Sequence, residues 1–269
     1  MMGDRHVTEG PPELRWLERG EGEPVVLLHG LMSRMDHWEA ALDELGAVCR
    51  AMAPSLPIYD ARLREPSIVA LAGHVVRMLD ALEIPRAVLG GNSLGGHVAL
   101  EVALSEPDRV SGLILTGSAG LFERRFARGV SHRPTAEYVR ARMCEVVCDP
   151  ALITPEWVAS VWAAVNARDC ARRVVRFARA TRRERVEDRL GAIRAPTLLV
   201  WGREDRITPP AVGERFRALL PDAELWLLAR CGHVPMLERP GDFSRIVAGW
   251  LDVTRARRDS HAPVAGGAR

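Results

Sequence analysis

The chain has 269 residues, of which 47% are hydrophobic and 27% charged, a composition that excludes a disordered or fibrous protein and fits one large α/β domain with room for an insertion. Its 37 basic residues are all arginine and stand against 35 acids, so the net charge of +2 gives no global electrostatic case for nucleic acid. Five cysteines at scattered spacing exclude a disulfide framework.

The opening segment, MMGDRHVTEGPPELRW, has no apolar core of the signal-peptide kind, and no later apolar run is long enough to span a bilayer. A cytoplasmic protein without membrane contact is expected. ELRWLE (13–18) and PVVLLH (24–29) read as strands around a glycine-bearing turn. A helical pattern follows at about 36–46, then a strand-like VCRAMAPSL (48–56), a proline-rich loop and a helix near 67–82. RAVLGG (86–91) is a short apolar strand, 94–107 a helix that must stop before Pro107, and VSGLILTGS (110–118) another buried strand.

Strands that alternate with helices and are apolar throughout indicate a mostly parallel sheet covered on both faces. The alternation stops at about 121 and resumes only with APTLLVWG (195–202), a helix at 209–220, the strand AELWLLA (223–229) and a last helix at 240–252. Residues 121–190 are helical in pattern and hold fifteen arginines against nine acids. Most of these arginines read as a solvated face. The competing reading has one or two of Arg124, Arg125, Arg128 and Arg168 gripping a carboxylate bidentately. Phe122, Trp157 and Trp162 read as packing this insertion onto the main domain. Cys144 and Cys148 lack the second ligand pair of a zinc site and read as free thiols.

The chemistry centres on LGGNSLGGHVAL (89–100). A strand that ends in G-x-S-x-G and runs into a helix is a nucleophile elbow, with Ser93 raised above the sheet and Gly91 and Gly95 allowing the sharp turn. The alternative is a turn serine. A serine needs a base, and of eight histidines His233 stands on a glycine-bearing loop after the last strand, where parallel sheets place catalytic groups. His97 lies on the elbow helix and reads as a packing residue. Asp205, in VWGREDRITPP, follows a buried strand and precedes His233 in the chain order Ser, Asp, His; it can orient the imidazole, or be no more than a turn aspartate. Neighbouring Glu204 is expected to face away. The Leu94 amide and the Leu31 amide, the latter after Gly30, are candidate donors to an oxyanion, with His29 bracing the Gly30 loop and Asn92 supporting the elbow.

LLHGLMSRMDHW, GGNSLGGHVALEVA, PTLLVWGREDRITPP and CGHVPMLERP, in that order, resemble the landmarks of the α/β-hydrolase superfamily over residues 13–252. The resemblance implies an α/β-hydrolase fold with a mostly parallel eight-stranded sheet and helices on both faces. It implies a core of residues 1–120 and 191–253 and a helical cap over 121–190, while TRARRDSHAPVAGGAR (254–269) reads by its composition as a disordered tail. It also implies a triad of Ser93, Asp205 and His233, and a cofactor-independent reaction on a small ester or ketone substrate. The elbow is similar to that of C–C hydrolases acting on ring-cleavage products. The chain departs from those enzymes by LMSRMD after His29-Gly30, by Val234 in place of a tryptophan, and by PSLPIYDARLREP in place of a glycine-rich loop. A serine esterase is therefore the first expectation, a C–C hydrolase the second and a non-catalytic ligand-binding protein the third.

Overall fold

A computed structural model describes residues 6–9, 14–121 and 134–261. Eight strands form one sheet: β1 (His6–Glu9), β2 (Arg15–Arg19), β3 (Pro24–Leu28), β4 (Arg50–Pro54), β5 (Ala87–Asn92), β6 (Val110–Thr116), β7 (Thr197–Gly202) and β8 (Ala223–Leu228), in the order β1-β2-β4-β3-β5-β6-β7-β8. The first two pairings, β1 with β2 and β2 with β4, are antiparallel, and the rest of the sheet is parallel. The central strands β5, β6 and β7 are buried at every position, which is why they read as unbroken apolar runs.

The helices are α1 (Glu39–Leu45), α2 (Ile68–Ala81), α3 (Leu94–Ser105), α4 (Ala136–Met143), α5 (Pro155–Asn166), α6 (Arg168–Arg183), α7 (Pro210–Leu219), α8 (Pro235–Glu238) and α9 (Pro240–His261). Local chemistry sets several starts. The Ser67 hydroxyl accepts from the Ala70 amide at α2, and Thr135 and Thr154 cap α4 and α5 in the same way. Two apolar cores lie on opposite faces of the sheet, one built with α2, α3 and α7, the other with α1 and α9. The segment between β6 and β7 joins both. Phe177 of α6 is buried in the first core, and Val139, Met143, Val158 and Val161 of α4 and α5 in the second.

That segment touches the body through the loop after β4 and through α3. Arg173 donates to the carbonyls of Ile58 and Leu63 after β4, and the Glu184 carbonyl bonds the His97 ring at 2.8 Å. Trp157 meets the His37 ring edge-on at 4.6 Å, as a packing residue should. Trp162 does not: it is 42% exposed and its Nε1 donates to Pro134 within the segment itself. Phe122, Arg124, Arg125 and Arg128 lie outside the described residues.

The expected break at 253 is not a break. Helix α9 runs on to His261, because Glu23, just before β3, accepts from both Arg255 and Arg258, and Thr254 is buried with its hydroxyl on the Trp250 carbonyl. Residues 262–269 lie outside the described residues. Strand β1 was not foreseen either. Of the five cysteines, all free thiols, only Cys49 and Cys231 are buried, while Cys148 is exposed. Among the described residues no helix is long and apolar enough to cross a membrane.

Candidate active site

Strand register sets the site. Leu28 of β3, Gly91 of β5, Leu115 of β6 and Leu199 of β7 are laterally paired, so the residues just beyond them emerge side by side along the carboxyl edge. Ser93 follows β5 and begins α3. Its φ of 54° and ψ of −117° are a conformation that L-residues avoid. The sharp turn is carried by Ser93 itself and not by positive φ at Gly91 or Gly95. Those glycines serve close approach. A Cβ on Gly95 would lie 2.1 Å from the Leu28 carbonyl oxygen, and one on Gly91 would lie 2.3 Å from the Gly95 carbonyl carbon. The strained turn is held from both sides, the Ser93 amide donating to Thr116 and the Ser93 carbonyl accepting from Ala119. Ser93 is half-buried.

Asp205 and His233 meet. His233 Nδ1 and Asp205 Oδ2 are 2.8 Å apart, and the Asp205 side chain is wholly buried. Asp205 Oδ1 accepts from the amides of Ile207 and Thr208, and the Thr208 hydroxyl donates to Oδ2 at 2.9 Å. A carboxylate so surrounded is fixed in place and orients the ring nitrogen that faces it. Glu204 does face away, accepting from the Cys231 amide.

Asn92 links this pair to the elbow. Its side-chain amide donates to the carbonyls of His233 at 2.8 Å and Thr116 at 3.0 Å. Gly117, just past β6 at φ 50°, lies beneath the ring, where a Cβ would come within 2.8 Å of His233 Nδ1. Gly30 lies against Asn92 and Ser93, which brings the β3 end to the elbow. His29 is buried. Its Nε2 accepts from the Leu56 amide at 3.0 Å, which leaves Nδ1 to donate to the Gly30 carbonyl. Burial lowers its pKa to about 4, so it stays neutral and braces the loop. His97 is likewise buried and held near 4 by burial.

Two features escaped the sequence reading. Thr208 is one. The other is Glu238, at the end of α8, whose carboxylate accepts from Gly232 at 2.8 Å, from Val234 at 3.4 Å and from Cys148 at 2.6 Å. It clasps both flanks of His233 to the segment after α4, and burial pushes its pKa up. Its partners are all main-chain amides, which leave no mark in a residue pattern. Arg168, the first residue of α6, is exposed.

A buried carboxylate, an oriented imidazole and a half-buried serine at a strained helix start can together carry nucleophilic attack and proton transfer. Residues 25–246 match the profile of the alpha/beta hydrolase family. A 2-hydroxy-6-oxononadienedioate/2-hydroxy-6-oxononatrienedioate hydrolase of Paraburkholderia xenovorans is 31% identical, over 90% of this chain and 92% of its own. Among solved structures, an alpha/beta hydrolase from the sediment metagenome of the Mar Chica lagoon, Morocco, superposes with a TM-score of 0.76 at 30% identity, covering 93% of this chain and 99% of that one. Est816, described as an N-acyl homoserine lactone degrading enzyme, does so at 0.71 and 26% identity, covering 88% and 96%.

Proposed function

This chain belongs to the alpha/beta hydrolase family, and from that premise we propose that it is a serine hydrolase in which Ser93, Asp205 and His233 work as one catalytic unit. The observation that carries the reading is the 2.8 Å contact between His233 Nδ1 and the buried Asp205 carboxylate, on a loop tied to Asn92, the residue next to Ser93. In this reading Ser93 Oγ bonds to a carbonyl carbon while His233 takes its proton. The amides of Leu31 and Leu94 receive the oxyanion. Collapse expels the leaving group, which takes the proton from His233, and water repeats the sequence to free the acid. Residues 121–190 act as a cap over this chemistry.

The substrate class we favour is a C–C bond beside a ketone in a ring-cleavage product. The hydrolase of Paraburkholderia xenovorans is named for 2-hydroxy-6-oxo dioate substrates, which carry such a ketone, and matches this chain nearly end to end. A small ester or lactone is the second reading, favoured by Val234 and the LMSRMD loop and by the likeness to Est816.

The test sets a coloured dienol ring-cleavage product beside a p-nitrophenyl ester series, each with wild type and Ser93→Ala. Loss of at least about 10³-fold in the variant supports the Ser93 reading, and the faster substrate class names the bond. If both proteins are equally slow on everything and a serine-directed phosphonate fails to label wild type, a non-catalytic binding role takes its place.

A further inference from the structure

The arginines of α6 are not spread around the helix. At about 100° per residue, Arg168, Arg172, Arg176, Arg179, Arg182 and Arg183 fall within roughly 120° of arc, and all six are exposed. The opposite side buries Val174, Phe177, Ala180 and Thr181. Residues 168–185 hold eight arginines against two acids, a net +6, whereas the whole chain carries +2, so the other 251 residues sum to −4. The charge of the molecule is thus polarised onto one helix. Among the described residues only Arg172 of the six has a carboxylate partner, Asp169 at 3.8 Å, a distance that leaves both largely solvated.

Folding does not call for this arrangement. Like charges at spacings of three and four oppose a helix, and Phe177 and its neighbours already anchor α6 from the other side. The face is also not purely polar. Val175, in the middle of the arginines, is 47% exposed. Val69, at the start of α2, is 60% exposed; the Ile68 amide next to it donates to Glu184, just past the end of α6.

We propose that the outward face of α6 docks on an anionic lipid surface, its arginines meeting the headgroup phosphates and Val175 and Val69 entering the boundary below them. A basic helix face with apolar side chains in its midst is the pattern of an interfacial helix. Nucleic acid would use the arginines and give the exposed valines nothing to enter. The sequence expectation of no membrane contact rests on spans, and a docking helix needs none.

Sedimentation of the full-length protein with vesicles tests this, using phosphatidylcholine alone and phosphatidylcholine mixed with phosphatidylglycerol. Wild type should pellet with the mixed vesicles only, and release as salt is raised. Replacing Arg172, Arg176, Arg179 and Arg183 together by glutamine should weaken that binding at least about tenfold with no loss of melting temperature. Val175→Asn alone should weaken it less. Arg217→Gln with Arg245→Gln, on exposed arginines of α7 and α9, should leave it unchanged. No binding by wild type, equal binding by the fourfold variant, or binding to a short DNA duplex without binding to vesicles would each overturn the proposal.

Discussion

The amide of His233 donates to the carbonyl of Val146 at 2.7 Å, so the imidazole stands on a loop whose height is set by the segment that follows α4. Glu238 completes this clasp through Cys148 on one side and Gly232 on the other. Glu238→Gln replaces one carboxylate oxygen by an amide nitrogen, which cannot accept from an N–H. The loop should relax and kcat fall about tenfold, close to 1.4 kcal/mol of barrier, with KM held within twofold. Active-site titration with a phosphonate separates this from misfolding. A slower labelling rate at full stoichiometry supports a positioning role, whereas a rate equal to wild type refutes it.

Gly117 makes a sharper prediction. Its φ of 50° costs a side chain about 1 kcal/mol, and a Cβ there would press on both the ring and the carbonyl of His233. Gly117→Ala should abolish turnover and lower the melting temperature. Gly191→Ala, where a Cβ meets nothing within 4 Å, should do neither. An active Gly117→Ala enzyme would mean that His233 has freedom that this packing denies it.

The elbow, the two loop residues and the seven strands β2 to β8 were legible because each depends on neighbours in sequence: an apolar run, a glycine pair, a loop after a strand. What stayed hidden depends on partners far along the chain. Strand β1 is four residues of alternating character, too short to signal a strand before β2 supplies its ladder. The last turns of α9 read as a basic tail until Glu23, more than 200 residues earlier, gives Arg255 and Arg258 a shared acceptor. Glu238 reaches the Cys148 amide, 90 residues earlier; Thr208 is the exception, since Asp205 lies only three residues back and nothing in the residue pattern marks the bond. Trp162 shows the converse: an aromatic on an amphipathic helix reads as core, yet a carbonyl of its own segment holds it at the surface.

Buried neutral histidines should make the fold acid-sensitive well above the carboxylate range. In the unfolded chain His29 and His97 take up protons below about 6.5, whereas burial delays them to about 4 in the fold. The unfolded state therefore binds more protons throughout that window, and stability falls as pH drops through it, by up to roughly 3 kcal/mol per histidine. Melting temperatures between pH 7 and 5.5 should decline accordingly. His37 shares this shift to about 4, again by burial, so His97→Gln, which removes one of three such groups, should flatten the decline by a part; an unchanged slope assigns the acid sensitivity elsewhere.

The strain at Ser93 can be weighed directly by comparing two inactive variants. In ordinary backbone, alanine is more stabilising than glycine by roughly 0.5–1 kcal/mol, because glycine has more freedom to lose on folding. At φ 54° and ψ −117° the order should invert, since a Cβ in such a region costs of order 1–3 kcal/mol and glycine avoids it. Ser93→Gly should therefore melt above Ser93→Ala, and above wild type if the serine hydroxyl adds no compensating bond. Both variants should be inert towards a phosphonate. That result would mean the fold gives up stability to hold a hydroxyl at the head of α3, a cost that a serine placed only to fill a turn would not incur. If Ser93→Ala melts higher by the usual margin, the turn is relaxed and the conformational argument for Ser93 as the nucleophile fails, whatever the kinetics show.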